Sequence, residues 1–149
     1  MRAIQRLQRS GVGVGPERTI QQVAQLMNSS GVGSIAVIDD DRLVGIVTDR
    51  DIVRRGLARG LPADARVDGI MSSPALTIDA DASMDTAVEA FRTHAVRRLA
   101  VVDTDGRFVG VISLDDLLLD IARDLGSLTS PLAAEIGDPH RDSPVPMAT

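Results

Sequence analysis

Gly45–Ile52 reads Gly-Ile-Val-Thr-Asp-Arg-Asp-Ile, and Gly110–Leu117 repeats the pattern as Gly-Val-Ile-Ser-Leu-Asp-Asp-Leu. Each copy predicts a short apolar strand, a hydroxyl residue where the strand ends, an aspartate three positions later, and then a helix. Thr48 corresponds to Ser113 and Asp51 to Asp116, at one constant offset of 65 (113 − 48 and 116 − 51). A strand-to-helix turn that occurs twice with the same polar groups predicts an internal duplication with two equivalent pockets.

The duplication extends well beyond this turn. With an offset of 64 (99 − 35), the apolar run Ile35–Asp39 aligns with Leu99–Asp103, and the helical spacing of Ile20–Met27 recurs at Met84–Phe91. The offset becomes 65 after the polar turn that follows the apolar run, because that turn has one more residue in the second half. A length difference confined to a polar surface turn is typical of a true duplication.

Each half predicts the element order β-α-β-β-α. The first helix of each half has apolar residues at i, i+3, i+4 and i+7, and the second strand is a continuous apolar run. Thr19 with Gln22 predicts a capping box at one helix, and Ser83 predicts an N-cap at its counterpart. The predicted strands cover residues 12–14, 35–38, 43–47, 75–78, 99–102 and 108–112, and the predicted helices cover 20–27, 49–58, 84–91 and 114–125.

The predicted fold class is α/β, in the α+β sense: two β-α-β-β-α repeats packed about a pseudo-twofold axis. A unit of about 60 residues is marginally stable alone, whereas two copies share one core. We expect a first repeat at 1–61, a second at 62–126, and a flexible tail at 127–149 that carries four prolines. Short helical turns are expected to lead into the halves at 3–7 and 67–71, again at the offset of 64 (67 − 3).

The composition argues against several classes of function. A net charge of −5 and an aromatic content of 1% disfavour nucleic-acid binding. The chain has no Cys and two His, so we expect neither a disulfide framework nor a metal site. No apolar run approaches the roughly 20 residues that span a bilayer, and we therefore expect a cytoplasmic protein without membrane contact. No nucleophile lies near a base in a recognisable motif, so we expect no enzymatic activity.

The repeated turn has two interpretations. Thr48-x-x-Asp51 and Ser113-x-x-Asp116 fit the capping-box pattern, which is common and purely structural. The pattern also includes a Gly three residues before each hydroxyl, and it lies at the carboxyl end of a strand, where α/β units usually bind ligands. A helix N-terminus offers N–H groups to a phosphate, and a carboxylate can accept hydrogen bonds from a ribose. Capping and nucleotide binding are compatible.

At this point the chain resembles a known family. Halves of β-α-β-β-α order that carry Gly-x-x-Thr/Ser-x-x-Asp resemble the cystathionine-β-synthase (CBS) domain family, arranged as a tandem CBS pair. Val32–Asp39 and Val96–Asp103 are also similar to that family's second strand, and the resemblance covers roughly residues 3 to 125. It implies an adenosyl ligand (AMP, ADP, ATP, NAD or S-adenosylmethionine) in clefts between the repeats, with no cofactor required.

The resemblance also implies site residues. One pocket would use Thr48 and Asp51, and the other Ser113 and Asp116, with the aspartate on the ribose and the hydroxyl on the phosphate side. In this family a pocket mixes the aspartate turn of one half with strand starts of the other. The strand-start residues implied to lie near the adenine are Val14, Ser34, Ile35, Ile78 and Leu99.

The arginines predict that the two pockets differ. Arg97 and Arg98 precede a core strand of the second half, where Gly33 and Ser34 stand in the first. We expect one of these arginines to contact a ligand phosphate, the alternative being surface ion pairs with nearby acids. Other arginines near the first turn are expected to matter less, Arg50 as a weaker candidate and Arg54 and Arg55 on a solvated helix face.

Two further polar features are interpreted as structural. Asp39–Asp41 could hold a cation, but a solvated hairpin turn is the favoured interpretation. His94 has Ser30 as its counterpart and is expected at the surface of a helix end, because a lone histidine makes no metal site.

The hypothesis from sequence is a stand-alone regulatory module that binds an adenosyl ligand and signals by a change of shape or of oligomeric contact. The resemblance implies a homodimer formed through helices, and a protein partner regulated in trans is a further expectation. The alternative is a structural or interaction scaffold whose pockets are empty.

Overall fold

The structure, a computed structural model, describes residues 4–136, with side chains described as far as residue 129. Residues up to Leu114 form one compact unit, and a second begins at Asp115. The strands are β1 (Gly13–Val14), β2 (Ser34–Asp39), β3 (Arg42–Thr48), β4 (Thr77–Asp79), β5 (Arg98–Val102) and β6 (Phe108–Ser113). The α-helices are α1 (Ile20–Ser30), α2 (Asp49–Asp51), α3 (Met84–His94) and α4 (Leu114–Ile136).

The strands form two sheets of identical topology. In the first, β2 lies between a parallel neighbour, β1, and an antiparallel neighbour, β3. In the second, β5 lies between β4 and β6 in the same way. Both central strands have a register shift at the same place, after Val37 and after Val101, which are equivalent positions of the repeat. The predicted β-α-β-β-α repeat is therefore confirmed.

The helix caps that the sequence predicts are present. At α1, the Gln22 N–H donates to the Thr19 hydroxyl (3.1 Å), and the Gln22 side chain accepts from the Thr19 N–H (3.0 Å). At α3, the Ser83 hydroxyl accepts from the Thr86 N–H at 3.2 Å. These short-range hydrogen bonds fix where each helix begins.

Each half sends a segment across the sheet of the other. Ser72, which precedes β4 in the second half, exchanges backbone hydrogen bonds with Ile46 on β3, at 2.8 and 3.1 Å. Arg9, which precedes β1 in the first half, does the same with Val111 on β6, at 2.9 and 3.0 Å. We call residues 4–9 and 67–72 the crossing segments. Their reciprocal pairing joins the halves through backbone bonds.

The crossing segments also supply core residues. Val67 and Ile70 are buried in the core of the first half, with α1, β2 and β3. Ile4 and Leu7, their counterparts in the other segment, are buried too. The offset between these counterparts is 63 (67 − 4), so the predicted offset of 64 is wrong for this region. The backbone pairings give the same offset (72 − 9), since Ser72 pairs with Ile46 and Arg9 pairs with Val111, the counterpart of Ile46.

The pseudo-twofold axis passes where equivalent residues meet. Arg42 forms an isolated β-bridge with Arg107, its own counterpart at the offset of 65 (107 − 42). Contact between equivalent positions is the signature of a twofold axis. The predicted arrangement of the two repeats about such an axis is confirmed.

The helices that follow the repeated turns differ from prediction. After α2, the first one continues as a π-helical turn, Ile52–Gly56, and a 3₁₀ turn, Leu57–Arg59, instead of a uniform α-helix. The second, α4, runs to Ile136, although we expected it to end near Leu125. The rest of the expected tail, 137–149, lies outside the described residues. The boundaries expected at 61 and 126 stay predictions.

Candidate functional site

The first repeated turn is a complete capping box. The Asp51 N–H donates to the Thr48 hydroxyl at 3.1 Å, and the Thr48 N–H donates to Asp51 Oδ2 at 3.0 Å. The predicted structural role of this pair is therefore confirmed. The pair also locks both side chains in place at the end of β3.

The backbone donors of this turn are already used. Besides the two capping bonds, the Asp49 N–H donates to the Gly33 carbonyl (3.0 Å) and the Arg50 N–H donates to Asp49 Oδ1 (2.9 Å). The expectation that this helix start offers free N–H groups to a phosphate is wrong in this conformation. Any anion recognition here has to come from side chains.

A cleft of about 710 Å³ opens beside Thr48. Its wall combines residues from β3 and the turn that follows with residues from the second half. The full lining consists of Ile46, Thr48, Asp49, Arg50, Arg55, the segment Met71–Leu76, and the segment Ala95–Arg98. This volume is in the range of cavities that hold small molecules.

The lining divides into an apolar and a cationic part. Ala75, Leu76 and Val96 contribute apolar surface from the strand approaches of the second half. The lining includes four arginines and one carboxylate, that of Asp49, although the whole chain carries a net charge of −5. Guanidinium groups bind phosphate oxygens in a bidentate manner. The cleft therefore suits an anion joined to a flat apolar group. The four arginines are Arg50, Arg55, Arg97 and Arg98.

Arg98 reaches from the second half to the first. Its Nη2 lies 3.0 Å, and Asp49 Oδ2 lies 3.3 Å, from the position that a Cβ on Gly33 would occupy. Gly33 thus leaves the space into which the guanidinium extends. Arg97 and Arg98 occupy the repeat positions of Gly33 and Ser34, so the predicted difference between the halves takes the form of a small residue facing a large cation.

Arg55 corrects a prediction. We expected it on a solvated helix face, but its Nη1 donates to the carbonyls of Ile70 (3.4 Å) and Met71 (3.3 Å), and it lines the cleft. Its Nε lies 4.0 Å from Asp51 Oδ1. Arg55 therefore ties the π-helical turn to a crossing segment. Arg54, one residue earlier, is exposed as expected.

The structure brings together some of the predicted site residues. Thr48, Arg97 and Arg98 line the same cleft, with Asp51 directly behind Thr48. Ser34 is the strand neighbour of Thr48, and Ser113 is the strand neighbour of Arg98.

The other predicted residues lie elsewhere. Ile35, Ile78 and Leu99 are buried, at 1%, 6% and 1% exposure, and do not belong to the cleft lining. Val14 lines a separate cavity of about 530 Å³ between β1 and α1. Asp116 is the third residue of α4, in the second unit.

Sequence reasoning missed the segment Met71–Ala75. It enters the cleft because Ser72 pairs with Ile46 and the Ser73 hydroxyl donates to the Val44 carbonyl at 2.9 Å. The available signal was position: this stretch directly precedes the first strand of the second half. A long-range backbone pairing leaves no periodicity in the sequence, so the stretch has the appearance of a linker.

The remaining polar features have structural roles. Asp39 pairs with Arg42, which leaves Asp40 and Asp41 as a two-residue turn with φ of 50° and 63°, as in a type I′ hairpin. The predicted hairpin is therefore confirmed. Within residues 4–136, no three His, Asp or Glu side chains cluster as metal ligands. Over the same range, no helix is both long and apolar enough to cross a bilayer.

Comparisons with known proteins agree with this architecture. The sequence model of the CBS domain matches residues 5–58 and again 67–123. CBS domain-containing protein YhcV of Bacillus subtilis is 36% identical over 107 residues, which are 72% of this chain and 76% of that protein. An uncharacterized protein of Methanopyrus kandleri is 31% identical over 105 residues, 69% of this chain and 54% of that protein.

A solved structure is similar over nearly its whole length. CBS domain protein PAE2072 from Pyrobaculum aerophilum, complexed with AMP, superposes with a TM-score of 0.72 and 30% identity. The match covers 82% of this chain and 99% of that one.

Proposed function

The chain belongs to the CBS domain family, and we propose that it is a cytoplasmic regulatory module that binds an adenosyl ligand in the Thr48 cleft and signals by conformational or oligomeric change. As a CBS-domain module it is non-catalytic. The observation that carries the proposal is the composition of the cleft, whose lining combines the helix-capping Thr48, an apolar wall and four arginines.

Each part of the cleft matches a part of such a ligand. The apolar surface of Leu76 and Val96 suits an adenine ring, and the Thr48 hydroxyl still has its proton to donate. The arginines suit the phosphates. The AMP bound to PAE2072, at 30% identity, supports an adenine nucleotide as the ligand here.

The charge of the lining ranks the candidate ligands. AMP, ADP, ATP and NAD carry phosphate, whereas the sulfonium group of S-adenosylmethionine is a cation. Four arginines against one aspartate favour the phosphate-bearing group, and affinity should rise from AMP to ATP.

The output of the module requires a second protein surface. Exposed apolar side chains on its helical segments, among them Val53 and Leu57, support a homodimer, with a partner protein regulated in trans as a further candidate. Ser113, at the end of β6, is proposed for a second, less cationic pocket.

A ligand titration tests the proposal. We expect AMP, ADP, ATP and NAD to raise the melting temperature. At a ligand concentration of 100 times the dissociation constant, the free energy of unfolding should rise by about 2.7 kcal/mol. Arg98→Gln should weaken ATP binding at least tenfold by calorimetry. Arg92→Gln is the matched control, because Arg92 lies on the exposed face of α3 beside Glu89 and outside the cleft.

Three results would count against it. If no adenosyl ligand shifts the melting temperature, the scaffold alternative replaces the sensor. If S-adenosylmethionine binds more tightly than ATP, the charge argument is wrong. If Arg92→Gln weakens binding as much as Arg98→Gln, the ligand does not bind in this cleft.

A further inference from the structure

We propose that Arg55 couples a ligand phosphate in the Thr48 cleft to the crossing segment 67–72. Arg55 donates to the carbonyls of Ile70 and Met71, and we call these two hydrogen bonds the Arg55 link. A phosphate competes with the two carbonyls for the guanidinium group, and its binding loosens the crossing segment beyond Ile70. The inference rests on the proposed function and deepens it, because it names the conformational change that follows ligand binding.

The Arg55 link is weak enough for a phosphate to displace it. Arg55 Nη1 lies 3.4 Å from the Ile70 carbonyl oxygen and 3.3 Å from that of Met71. Both distances exceed the usual value of about 2.9–3.0 Å. Both acceptors are neutral, whereas hydrogen bonds from a guanidinium to a phosphate are shorter and roughly twice as strong. The Arg55 side chain is 42% exposed and lines the cleft, so it is accessible to a phosphate bound there.

The helical turn that carries Arg55 combines two hydrogen-bonding registers. Arg55 belongs to the π-helical turn Ile52–Gly56, and the Leu57 N–H that follows donates to the carbonyls of both Ile52 and Val53. The first of these bonds has the spacing of a π-helix and the second that of an α-helix. A turn that shares one donor between two registers changes between them with little rearrangement. That change shifts Arg55 relative to its two carbonyl acceptors.

The crossing segment 67–72 has a fixed part and a part that is held less firmly. Val67 and Ile70 are buried, at 0% and 1% exposure, so packing in the core holds this part without the Arg55 link. Ser72 is exposed and is held by its backbone hydrogen bonds with Ile46 on β3. Loss of the Arg55 link therefore affects the part beyond Ile70, where the second half joins the first sheet.

The repeat places a residue of opposite charge at the equivalent position of the second half. Arg55 corresponds to Asp120 at the offset of 65 (120 − 55). A carboxylate accepts hydrogen bonds and cannot donate one to a carbonyl. We therefore expect this coupling from the Thr48 cleft and not from the pocket proposed around Ser113.

Amide hydrogen exchange followed by NMR tests the coupling. At concentrations that saturate the site by calorimetry, ATP should raise the exchange rates of the Ile46 and Ser72 amides about tenfold, whereas adenosine, which has no phosphate, should not. The direction is diagnostic, because a ligand that only stabilises the fold slows exchange. The Val67 amide, which donates to the Arg18 carbonyl at 2.7 Å, lies in the fixed part and should not exchange faster.

Arg55→Met and Arg54→Met are the matched variants. Each removes one guanidinium group from the same helical turn, and of the two residues only Arg55 lines the cleft. Arg55→Met should show fast exchange at Ser72 before ligand is added and no further rise with ATP. Arg54→Met should respond to ATP as the wild type does.

The outcomes separate the coupling from ligand binding. If ATP binds by calorimetry but leaves the Ser72 exchange rate of the wild type unchanged, the inference is wrong and the proposed function stands. The same holds if adenosine raises this rate as much as ATP does, or if Arg55→Met and Arg54→Met behave alike. If calorimetry shows no ATP binding at all, the proposed function fails and the inference fails with it.

Discussion

At the scale of single residues, the glycine of the repeated turn has a different role in the structure from the one that the sequence indicates. In the sequence it forms part of a ligand-binding pattern. In the structure, a Cβ at Gly45 would lie 2.5 Å from Met71 Sδ and 2.9 Å from the Ser72 carbonyl oxygen, and one at Gly110 would lie 2.5 Å from the Arg9 carbonyl oxygen. Glycine stands at both places because a crossing segment passes directly over the strand.

Gly45→Ala and Gly110→Ala should therefore destabilise the protein. The added methyl group meets backbone atoms that cannot turn away, and such overpacking typically costs about 1–3 kcal/mol. Urea denaturation measures the change in the free energy of unfolding. Gly69→Ala is the control, since its Cβ would meet no atom within 4 Å. If all three variants unfold at the same urea concentration, the close approach of the crossing segments to Gly45 and Gly110 does not affect the free energy of unfolding.

The arginines show the limit of prediction at this scale. The sequence identified Arg97 and Arg98 by their place before a strand, and both line the cleft. It assigned Arg55, together with Arg54, to a solvated face of the predicted helix. Only its bonds to the carbonyls of Ile70 and Met71, 15 and 16 positions away, bring it to the cleft.

At the scale of elements, the turn between β3 and α2 both caps a helix and lines a cleft. Its capping hydrogen bonds join residues three positions apart, so they were readable from Thr48-x-x-Asp51. The partners of its other N–H groups could not be read from this motif. The acceptor of the Asp49 N–H, for example, is the carbonyl of Gly33 from a distant part of the chain. This turn presents the Thr48 hydroxyl, and not free backbone donors, to the cleft.

Two N-cap variants separate these roles. Thr48→Ala and Ser83→Ala each remove a cap, so each should lower the free energy of unfolding by about 1 kcal/mol. Only Thr48→Ala should also reduce the thermal shift produced by ATP, because Ser83 caps α3 outside the cleft. Equal ATP responses in the two variants would mean that Thr48 does no more than cap.

At the scale of the whole molecule, the two halves are joined because each packs its crossing segment on the other. Each crossing segment belongs to one half and packs on the other, so Val67 and Ile70 complete the core of the first half although they lie in the second. A half without this segment would lose core residues and a sheet partner. The described unit from residue 4 to Leu114 is therefore expected to fold cooperatively.

Ile70→Ala tests this cooperativity. The substitution leaves a cavity in the first core and should cost about 2–5 kcal/mol. Native-state hydrogen exchange should show equal losses of protection for amides in β2 and in β5, although β5 lies in the other half. Leu61→Ala, at an exposed position shortly before the crossing segment 67–72, is the control. Loss confined to β2 would show that the halves unfold separately.

The sequence by itself determined the duplicated frame, the caps, the hairpin turn and the place of the Thr48 motif. These features depend on hydrophobic periodicity and on hydrogen bonds between residues a few positions apart, so a linear pattern records them. Only the tertiary structure decided which segments cross, where Arg98 meets Gly33, and that Met71–Ala75 lines the cleft. Such contacts join distant residues, as when the Gln8 side chain donates to the Val109 carbonyl 101 positions away. They arise from packing two halves about an axis, which no local pattern encodes.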